Sequence, residues 1–331
     1  MRIGVFLLAS LLGTACSSLA VYAQTKVNVA YTGESPTQLA AFLAKETGIF
    51  SRNGLDVQVI RTNSSVAVMG LIAGEMTVLQ VSAPTVISSV FRGGDAVFVA
   101  AGVVTLDYRL MSGKAIKSAT QLKGGVIGTS DLSGASFIAS RFAARKIGLD
   151  PDKEIAIIRS GGTPERLVAL RTGRIQATLL SPPTSFIAQQ EGFNFLTDVT
   201  SLPFQHNGVV TTRKFIRENP DAVRRYVRSQ IEAVHLMKTE RETGLRVLSK
   251  FLGRPQKDRD LMEKSYDVSV GEEVYPRKQY PTLPGIKTVL DAIATENPKA
   301  REAKPEDFVD IRFVKELDES GFIDNLYKKS R

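Results

Sequence analysis

The sequence predicts an α/β protein of two lobes, each built on a mainly parallel sheet that helices cover on both faces. Short apolar strand runs alternate with helix runs, and this alternation requires crossover connections between parallel strands. The same alternation starts again at Gly125, which indicates a second lobe. The length of 331 residues agrees, because chains of this size usually divide rather than enlarge one core.

The elements of the first lobe are bounded by prolines and glycines. Strands are predicted at 27–31, 55–60, 77–81 and 97–101, and helices at 37–45, 65–72 and 84–91. Pro36 and Pro84 stand in first turns, where the missing N–H is no loss. Gly48 and Gly74 follow helices, as the left-handed residue of a C-terminal cap commonly does.

The second lobe repeats this pattern, and a helical region follows it. Strands are predicted at 126–129, 155–159, 177–180 and 193–196, and helices at 135–146, 164–171 and 182–190. Further helices are predicted at 222–239, 244–251, 259–266, 286–295 and 309–319. Candidate crossing strands lie at 108–112 and 208–212. We expect lobe one to comprise 24–112 and 213–331, and lobe two to comprise 113–212.

The N-terminus predicts export. Arg2 precedes an apolar run at 3–12, and Val21-Tyr22-Ala23 offers the small residues that a signal peptidase reads. We expect residues 1–23 to form a signal peptide, since the run is shorter than the about 20 residues that span a bilayer. An alternative is a lipoprotein signal, in which Gly13-Thr14-Ala15-Cys16 leads to lipidation of Cys16.

Composition excludes several kinds of site. Cys16 is the only cysteine, so the exported chain has no disulfide, no thiol nucleophile and no thiolate metal site. The two histidines lack metal-ligand spacing, and we expect neither a metal nor a cofactor. The net charge of +9 comes from scattered residues, which argues against nucleic-acid binding. The absence of Trp argues against a sugar site or an aromatic cage.

One local pattern occurs near the start of each lobe. An apolar strand ends in a small polar loop, which then opens a helix: residues 32–36 in the first copy and 130–134 in the second. Free N–H groups and the dipole at a helix start favour a polar or anionic ligand. Two such loops predict a small ligand held between the lobes.

Four short motifs in order resemble periplasmic substrate-binding proteins of the nitrate, sulfonate and taurine type, a group that includes the binders of thiamine pyrimidine precursors. The resemblance spans about residues 25–240. Its motifs are Ala44-Lys45-Glu46-Thr47-Gly48-Ile49-Phe50 with Asn53-Gly54-Leu55-Asp56-Val57, then Ala73-Gly74-Glu75-Met76, then Leu122-Lys123-Gly124 with Val126-Ile127-Gly128, and Leu170-Arg171-Thr172-Gly173-Arg174-Ile175-Gln176-Ala177.

The resemblance implies a bilobal type II periplasmic-binding-protein fold with a ligand cleft between the lobes. It implies a monomeric solute-binding component of an ABC importer that docks on permease subunits in the inner membrane after hinge closure. We expect the solute to be a small organic anion such as a sulfonate or carboxylate. Two alternatives remain: an enzyme on the same fold related to pyrimidine-precursor synthases, and a sensory binding protein that reports to a membrane receptor.

The resemblance also implies where the solute is bound, at loops that follow the strands. Ser133 to Ala135, at a helix start, is the favoured position. Glu34 and Arg109 are each either a ligand contact or a surface residue, and His206 either a ligand contact or a structural or surface residue. We expect Ser133→Ala and Ser82→Ala each to weaken binding. The predicted binding residues are Thr32, Gly33, Glu34, Ser35, Asn63, Ser64, Ser82, Ala83, Ser130, Ser133, Gly134, Ala135, Gly161, Gly162, Ser181 and Pro182.

Overall fold

A computed structural model describes residues 24–254 and 258–328. The predicted signal peptide at 1–23 lies outside the described residues, and so does the lipidation alternative at Cys16. Within the described ranges, no helix combines the length and the apolar character that crossing a membrane requires.

The first sheet contains five strands, four of which run in the same direction. Their spatial order is β2 (Leu55–Arg61), β1 (Thr25–Tyr31), β3 (Val78–Val81), β10 (Gly208–Thr212) and β4 (Ala96–Gly102). β1 pairs in parallel with β2 and β3, whereas β10 runs antiparallel to β3 and β4. β4 is buried along its whole length, so its sequence is a continuous apolar run rather than an alternation.

The second sheet repeats this arrangement. Its order is β7 (Ala156–Arg159), β6 (Val126–Thr129), β8 (Ala177–Leu180), β5 (Arg109–Ser112) and β9 (Asn194–Asp198). β6 pairs in parallel with β7 and β8, and β5 runs antiparallel to β8 and β9. Each lobe therefore has one antiparallel strand inside a mainly parallel sheet, and the predicted α/β fold of two lobes is confirmed.

Helices flank both sheets, and the long C-terminal ones pack on the first. α10 buries one side against the first sheet, including Tyr226 and Ile231. Short 3₁₀ helices lie at Pro36–Gln38, Pro298–Arg301 and Pro305–Phe308. The α-helices are α1 (Leu39–Glu46), α2 (Ile49–Arg52), α3 (Ser64–Ala73), α4 (Ala83–Phe91), α5 (Ala119–Leu122), α6 (Ala135–Lys146), α7 (Thr163–Arg171), α8 (Thr184–Gln190), α9 (Arg213–Glu218), α10 (Pro220–Thr239), α11 (Arg241–Phe251), α12 (Arg259–Ser269), α13 (Leu283–Ile293), α14 (Arg312–Glu319) and α15 (Phe322–Lys328).

The chain passes between the lobes through two crossing segments, residues 103–108 after β4 and residues 199–207 after β9. They hydrogen-bond to each other: the Val103 N–H donates to the Asn207 carbonyl at 2.8 Å, and the His206 N–H donates to the Val103 carbonyl at 3.0 Å. Two extended segments joined in this way form a hinge that can bend without unfolding either sheet.

The hydrogen bonding corrects the expected division at two places. The division assigned 109–112 to lobe one, but these residues form β5 in the second sheet. It assigned 208–212 to lobe two, but these residues form β10 in the first sheet. The reason is that each strand pairs with the sheet it enters after crossing, not with the sheet it leaves.

An apolar cluster continues from one lobe to the other behind the crossing segments. It joins buried residues of α4 and α13 in the first lobe to α6 in the second, through Leu106 and Leu202. Because packed cores resist gradual deformation, this cluster limits relative motion of the lobes mainly to bending at the crossing segments.

Candidate functional site

Every predicted binding residue lies in a loop or first helical turn that follows a strand. In the first lobe, Thr32 to Ser35 follow β1, Asn63 and Ser64 follow β2, and Ser82 and Ala83 follow β3. In the second lobe the corresponding residues follow β6, β7 and β8: Ser130, Ser133, Gly134, Ala135, Gly161, Gly162, Ser181 and Pro182. Because parallel strands share an edge at their carboxyl ends, these loops gather on one edge of each sheet.

Glu34 forms a surface ion pair. Its carboxylate lies 2.9 Å from the Arg61 guanidinium, and the two side chains are 39% and 59% exposed. Exposed pairs of this kind contribute about 0 to 1 kcal/mol. The geometry therefore favours the surface interpretation of Glu34 over a ligand contact.

The loop after β1 is fixed by a buried hydrogen-bond network. The Ser35 hydroxyl lies 2.5 Å from the Thr37 hydroxyl. The Asn207 side-chain amide donates to the Thr37 hydroxyl at 3.0 Å, and the Tyr275 hydroxyl donates to the Thr37 carbonyl. This network joins the first-lobe loop to the second crossing segment and holds the loop in one conformation.

The loop before the helix start favoured for an anion is closed by Asp131. Asp131 Oδ1 accepts a hydrogen bond from the Ser133 N–H at 2.9 Å and another from the Gly134 N–H. These donors belong to the loop and to the N-cap residue, since α6 itself begins at Ala135. The carboxylate lies near the positive end of the helix dipole, which it complements. The preference for Ser133 to Ala135 as the position of the solute stays a prediction.

Arg166 lies in the first turn of α7 and is 2% exposed. One of its terminal nitrogens donates to the Thr163 hydroxyl at 3.2 Å, whereas its Nε has no hydrogen-bond partner among the described residues. Burial lowers the pKa of Arg166, and the charges of Tyr108, Asp131 and Glu165 act on it in the opposite direction. This buried cation makes Arg166 a candidate binding residue, and the sequence analysis did not identify it.

Further buried polar atoms without a partner among the described residues come from both lobes and the hinge. Ser82 Oγ and Gln38 Oε1 belong to the first lobe, Ser160 Oγ to the second, and His206 Nδ1 to a crossing segment. The Ala83 N–H donates to the Gln205 carbonyl at 3.1 Å, which places Ser82 beside that crossing segment. Since buried polar groups in folded proteins are normally satisfied, each of these atoms is a candidate contact for a ligand.

His206 and Tyr108 bring the two crossing segments together. Their ring centroids are 5.6 Å apart in an edge-to-face arrangement. Burial lowers the pKa of His206 to about 4, so its imidazole is neutral at neutral pH. Asp107, next to Tyr108, is buried beside the Ser269 hydroxyl at 3.4 Å, and burial raises its pKa to about 7.

Arg109 belongs to the outer part of the second lobe. It donates to the Gln189 side-chain carbonyl at 3.0 Å, and its guanidinium lies 4.8 Å and 5.1 Å from the ring centroids of Phe186 and Phe195. The cation is thus held by aromatic faces rather than by a carboxylate. Of the two interpretations of Arg109, the geometry favours the surface one.

A groove of about 700 Å³ lies elsewhere, between α4 and α13 of the first lobe and α6 of the second. Its lining includes Ser133 and Arg141, and Arg141 forms a bidentate pair with Asp152 at 2.7 Å. The buried polar atoms without partners, including Arg166, do not line it. We therefore place the candidate site at the hinge-side ends of the strands and not in this groove. In the described ranges, no three His, Cys, Asp or Glu residues group as metal ligands would.

The sequence model of the NMT1/THI5-like family matches residues 35–242. The chain belongs to this family. The resemblance inferred from the four motifs is thereby confirmed, and those motifs fall within or overlap the matched range. No curated protein sequence matches the chain significantly.

Solved structures of the same fold come from several bacteria. A protein of Bordetella bronchiseptica RB50 superposes with a TM-score of 0.72 at 19% identity, covering 90% of this chain and 98% of that one. The periplasmic aliphatic sulphonate-binding protein SsuA of Escherichia coli gives 0.66 at 18% identity, covering 87% and 91%. The periplasmic nitrate-binding protein NrtA of Synechocystis PCC 6803 gives 0.68 at 14% identity, covering 93% and 88%. These likenesses confirm the bilobal fold class of this family member.

Proposed function

We propose that this NMT1/THI5-like protein is the solute-binding component of an ABC importer. Residues 1–23 direct it to the periplasm, where it acts as a monomer and delivers a small organic anion, such as a sulfonate or carboxylate, to permease subunits. The similarity in fold to sulfonate- and nitrate-binding proteins supports this proposal. The family model supports it as well, because the residues that it matches include most strands of both sheets.

One observation carries the proposal: the segments that follow strands in both lobes hold buried polar atoms without a partner among the described residues. Gln38 and Ser82 contribute them from the first lobe, and Ser160 and Arg166 from the second. A group that is desolvated and unpaired costs about 1 to 3 kcal/mol. A solute that bonds to atoms of both lobes removes this cost only when the lobes are closed, so binding and closure are coupled.

The hinge geometry supplies the motion that such coupling needs. The lobes are joined by the crossing segments 103–108 and 199–207, and the loop after β1 is tied to the second of these through Thr37 and Asn207. A displacement at this loop is therefore transmitted directly to the hinge. The closed form is the state that a permease distinguishes from the empty one.

The enzyme alternative needs a nucleophile or an acid–base pair, for which the sequence offers Glu34 and His206 as candidates. Glu34 is paired with Arg61 at the surface. His206 is buried with a pKa of about 4, and it is neutral and without a carboxylate bonded to its Nδ1 among the described residues. General acid–base catalysis near neutral pH needs groups poised to exchange protons, so this geometry favours binding over catalysis.

A thermal-shift screen of residues 24–331 tests the proposal. Sulfonates, carboxylates, nitrate, amino acids and pyrimidines are each added at saturating concentration. A ligand at about 100 times its Kd adds about 2.7 kcal/mol of stability, so we expect a clear rise in Tm with an organic anion. Recovery of the ligand unchanged supports a binding protein. Consumption of the ligand, or no rise with any solute, contradicts the proposal.

Ser82→Ala is expected to weaken solute binding about tenfold without lowering Tm. The Ser82 hydroxyl is buried without a partner among the described residues, so its removal takes away a contact made only with the solute. Isothermal titration calorimetry measures the change. Ser133→Ala, which the sequence analysis expects to weaken binding as well, is measured beside it, because Ser133 is exposed and lines the separate groove between α4, α13 and α6. Equal effects of the two substitutions would contradict this placement of the site.

A further inference from the structure

Arg166 is the most unusual charge in the described part of the chain. It is 2% exposed, and no carboxylate forms an ion pair with it there, although many surface arginines in the same ranges have one. Its hydrogen bond to Thr163 uses a neutral hydroxyl and leaves Nε bare. A guanidinium does not lose its proton near neutral pH, so the unfavourable free energy of desolvating this charge is not offset by an ion pair in the absence of a ligand.

The local dipole makes this cost larger. Arg166 lies in the first turn of α7, where the helix dipole disfavours a cation. Glu165, the preceding residue, packs over Gly161 and Gly162 and forms no ion pair with Arg166. The fold therefore holds a desolvated positive charge that Asp131 and Glu165 stabilise through space, without forming an ion pair with it in the described part of the chain.

We infer that Arg166 binds the acid group of the solute, and that this group is a monoanion, either a carboxylate or a sulfonate. The inference rests on the proposed function and deepens it. The bare Nε lies on one edge of a planar fork that suits two acid oxygens side by side. Tyr108, which interacts electrostatically with Arg166, belongs to a crossing segment, so an acid group here lies beside the hinge.

Asp131 limits the charge that this position accepts. Its carboxylate accepts two N–H groups just before α6 and acts electrostatically on Arg166 from within the same lobe. One negative charge on the solute can form with Arg166 the direct ion pair that Asp131 does not form. A second negative charge, as on sulfate or hydrogen phosphate, would face Asp131 in a low-dielectric surrounding and be repelled. The position therefore selects monoanions over dianions.

The test uses matched probes and charge-matched variants of residues 24–331. The probes are the monoanions benzoate, ethanesulfonate and nitrate, the neutral isosteres benzamide and ethanesulfonamide, and the dianion sulfate. The variants are Arg166→Gln, Arg166→Lys and, as control, Arg174→Gln. Arg174 is exposed and forms no side-chain hydrogen bond or ion pair with any described residue, so its removal changes net charge equally. Kd is measured by calorimetry and Tm by thermal scanning.

We expect at least one monoanion to bind the unaltered chain, and its neutral isostere and sulfate to bind at least about tenfold more weakly. Arg166→Gln is expected to weaken monoanion binding about 100-fold and to keep or raise the Tm of the ligand-free protein, because it removes an unpaired buried charge. Arg166→Lys keeps the charge without the fork and is expected to recover only part of the affinity. Arg174→Gln is expected to bind as the unaltered chain does.

Three results would overturn the inference. They are binding by Arg166→Gln within about threefold of the unaltered chain, preference for the neutral isostere or sulfate, and absence of binding by every monoanion probe. If neutral or cationic solutes bind instead, the proposed function stands and only the inference fails. If no solute of any charge binds, both fail. A large drop in ligand-free Tm for Arg166→Gln and Arg166→Lys alike would indicate a structural role instead.

Discussion

Gly102→Ala is expected to lower the free energy of unfolding by about 2 to 4 kcal/mol and to weaken solute binding as well. Gly102 ends β4 at the start of the first crossing segment, with a φ of +154°. A Cβ atom there would lie 2.5 Å from the Asn207 carbonyl oxygen, which belongs to the backbone of the other crossing segment. That carbonyl also accepts the Val103 N–H, so relieving the clash separates the two segments that form the hinge.

Gly93→Ala is the matched control for this change. Gly93 belongs to the same lobe and has a φ of +93°, and a Cβ atom there would meet no described atom within 4 Å. Backbone strain alone costs about 1 kcal/mol, so Gly93→Ala should lower stability less and leave binding unchanged. Urea denaturation gives the stability, and calorimetry gives the affinity. Equal losses of stability in the two variants would show that the contact between the crossing segments does not cause the destabilisation expected for Gly102→Ala.

The sequence predicts the secondary structure closely where local signals are strong. The predicted strands at 126–129, 177–180 and 208–212 coincide with β6, β8 and β10, and the predicted helix at 135–146 coincides with α6. The helix predicted at 309–319 begins instead at Arg312. Val309 forms a bridge with Phe98 at the edge of the first sheet, and the Asp310 N–H donates to the Phe98 carbonyl at 2.7 Å. Such a contact between distant segments leaves no periodic pattern in the sequence.

The crossing strands show a second limit of sequence reasoning. An apolar run at 208–212 predicts a strand, but the run itself does not identify its partners. β10 joins the first sheet because Val209 and Val210 pair with β3 and β4, which are far away in sequence. The position of residues 208–212 along the chain suggests lobe two, and only their pairing in three dimensions assigns them to lobe one.

The sequence predicts which loops form the candidate site, and their role in binding stays a prediction. The loops that follow the strands were identified, since this depends only on the order of strands and helices. The turn closed by Asp131 is readable from the sequence, because an Asp side chain commonly accepts the N–H group two residues further on. Arg166 was not readable, because it follows Glu165 in a helix that also carries Arg171 and resembles an ordinary charged surface there. Its burial is a tertiary fact, and only its place in a first helical turn gave a hint.

Asp107→Asn is expected to stabilise the protein increasingly as the pH rises from about 4 to about 7. Burial raises the pKa of Asp107 to about 7, whereas in an unfolded chain the pKa is about 3.9. Between these values the folded state holds a proton that the unfolded state has released, so the free energy of unfolding falls with rising pH. The loss reaches about 4 kcal/mol at pH 7 and above, at about 1.4 kcal/mol for each unit of pKa. Asn carries no charge and avoids this loss.

His206 acts in the opposite direction over nearly the same range. Burial lowers its pKa to about 4 from about 6.5, so between these values the unfolded state binds the additional proton. The free energy of unfolding therefore falls as the pH drops through this window. In the unaltered chain the effects of Asp107 and His206 on the free energy of unfolding partly cancel between about pH 4 and pH 6.5. A single profile of stability against pH therefore does not separate them.

Differences between variants and the unaltered chain separate the two groups, because the titration of every other residue is common to both. The Tm difference for Asp107→Asn should grow toward neutral pH, and that for His206→Gln should grow toward acid pH. A Tm difference for Asp107→Asn that stays constant over this range would mean that Asp107 is ionised in the folded hinge at low pH. Opposite slopes would instead show that two neutral side chains buried at the crossing segments limit the stability of the protein, Asp107 toward neutral pH and His206 toward acid pH.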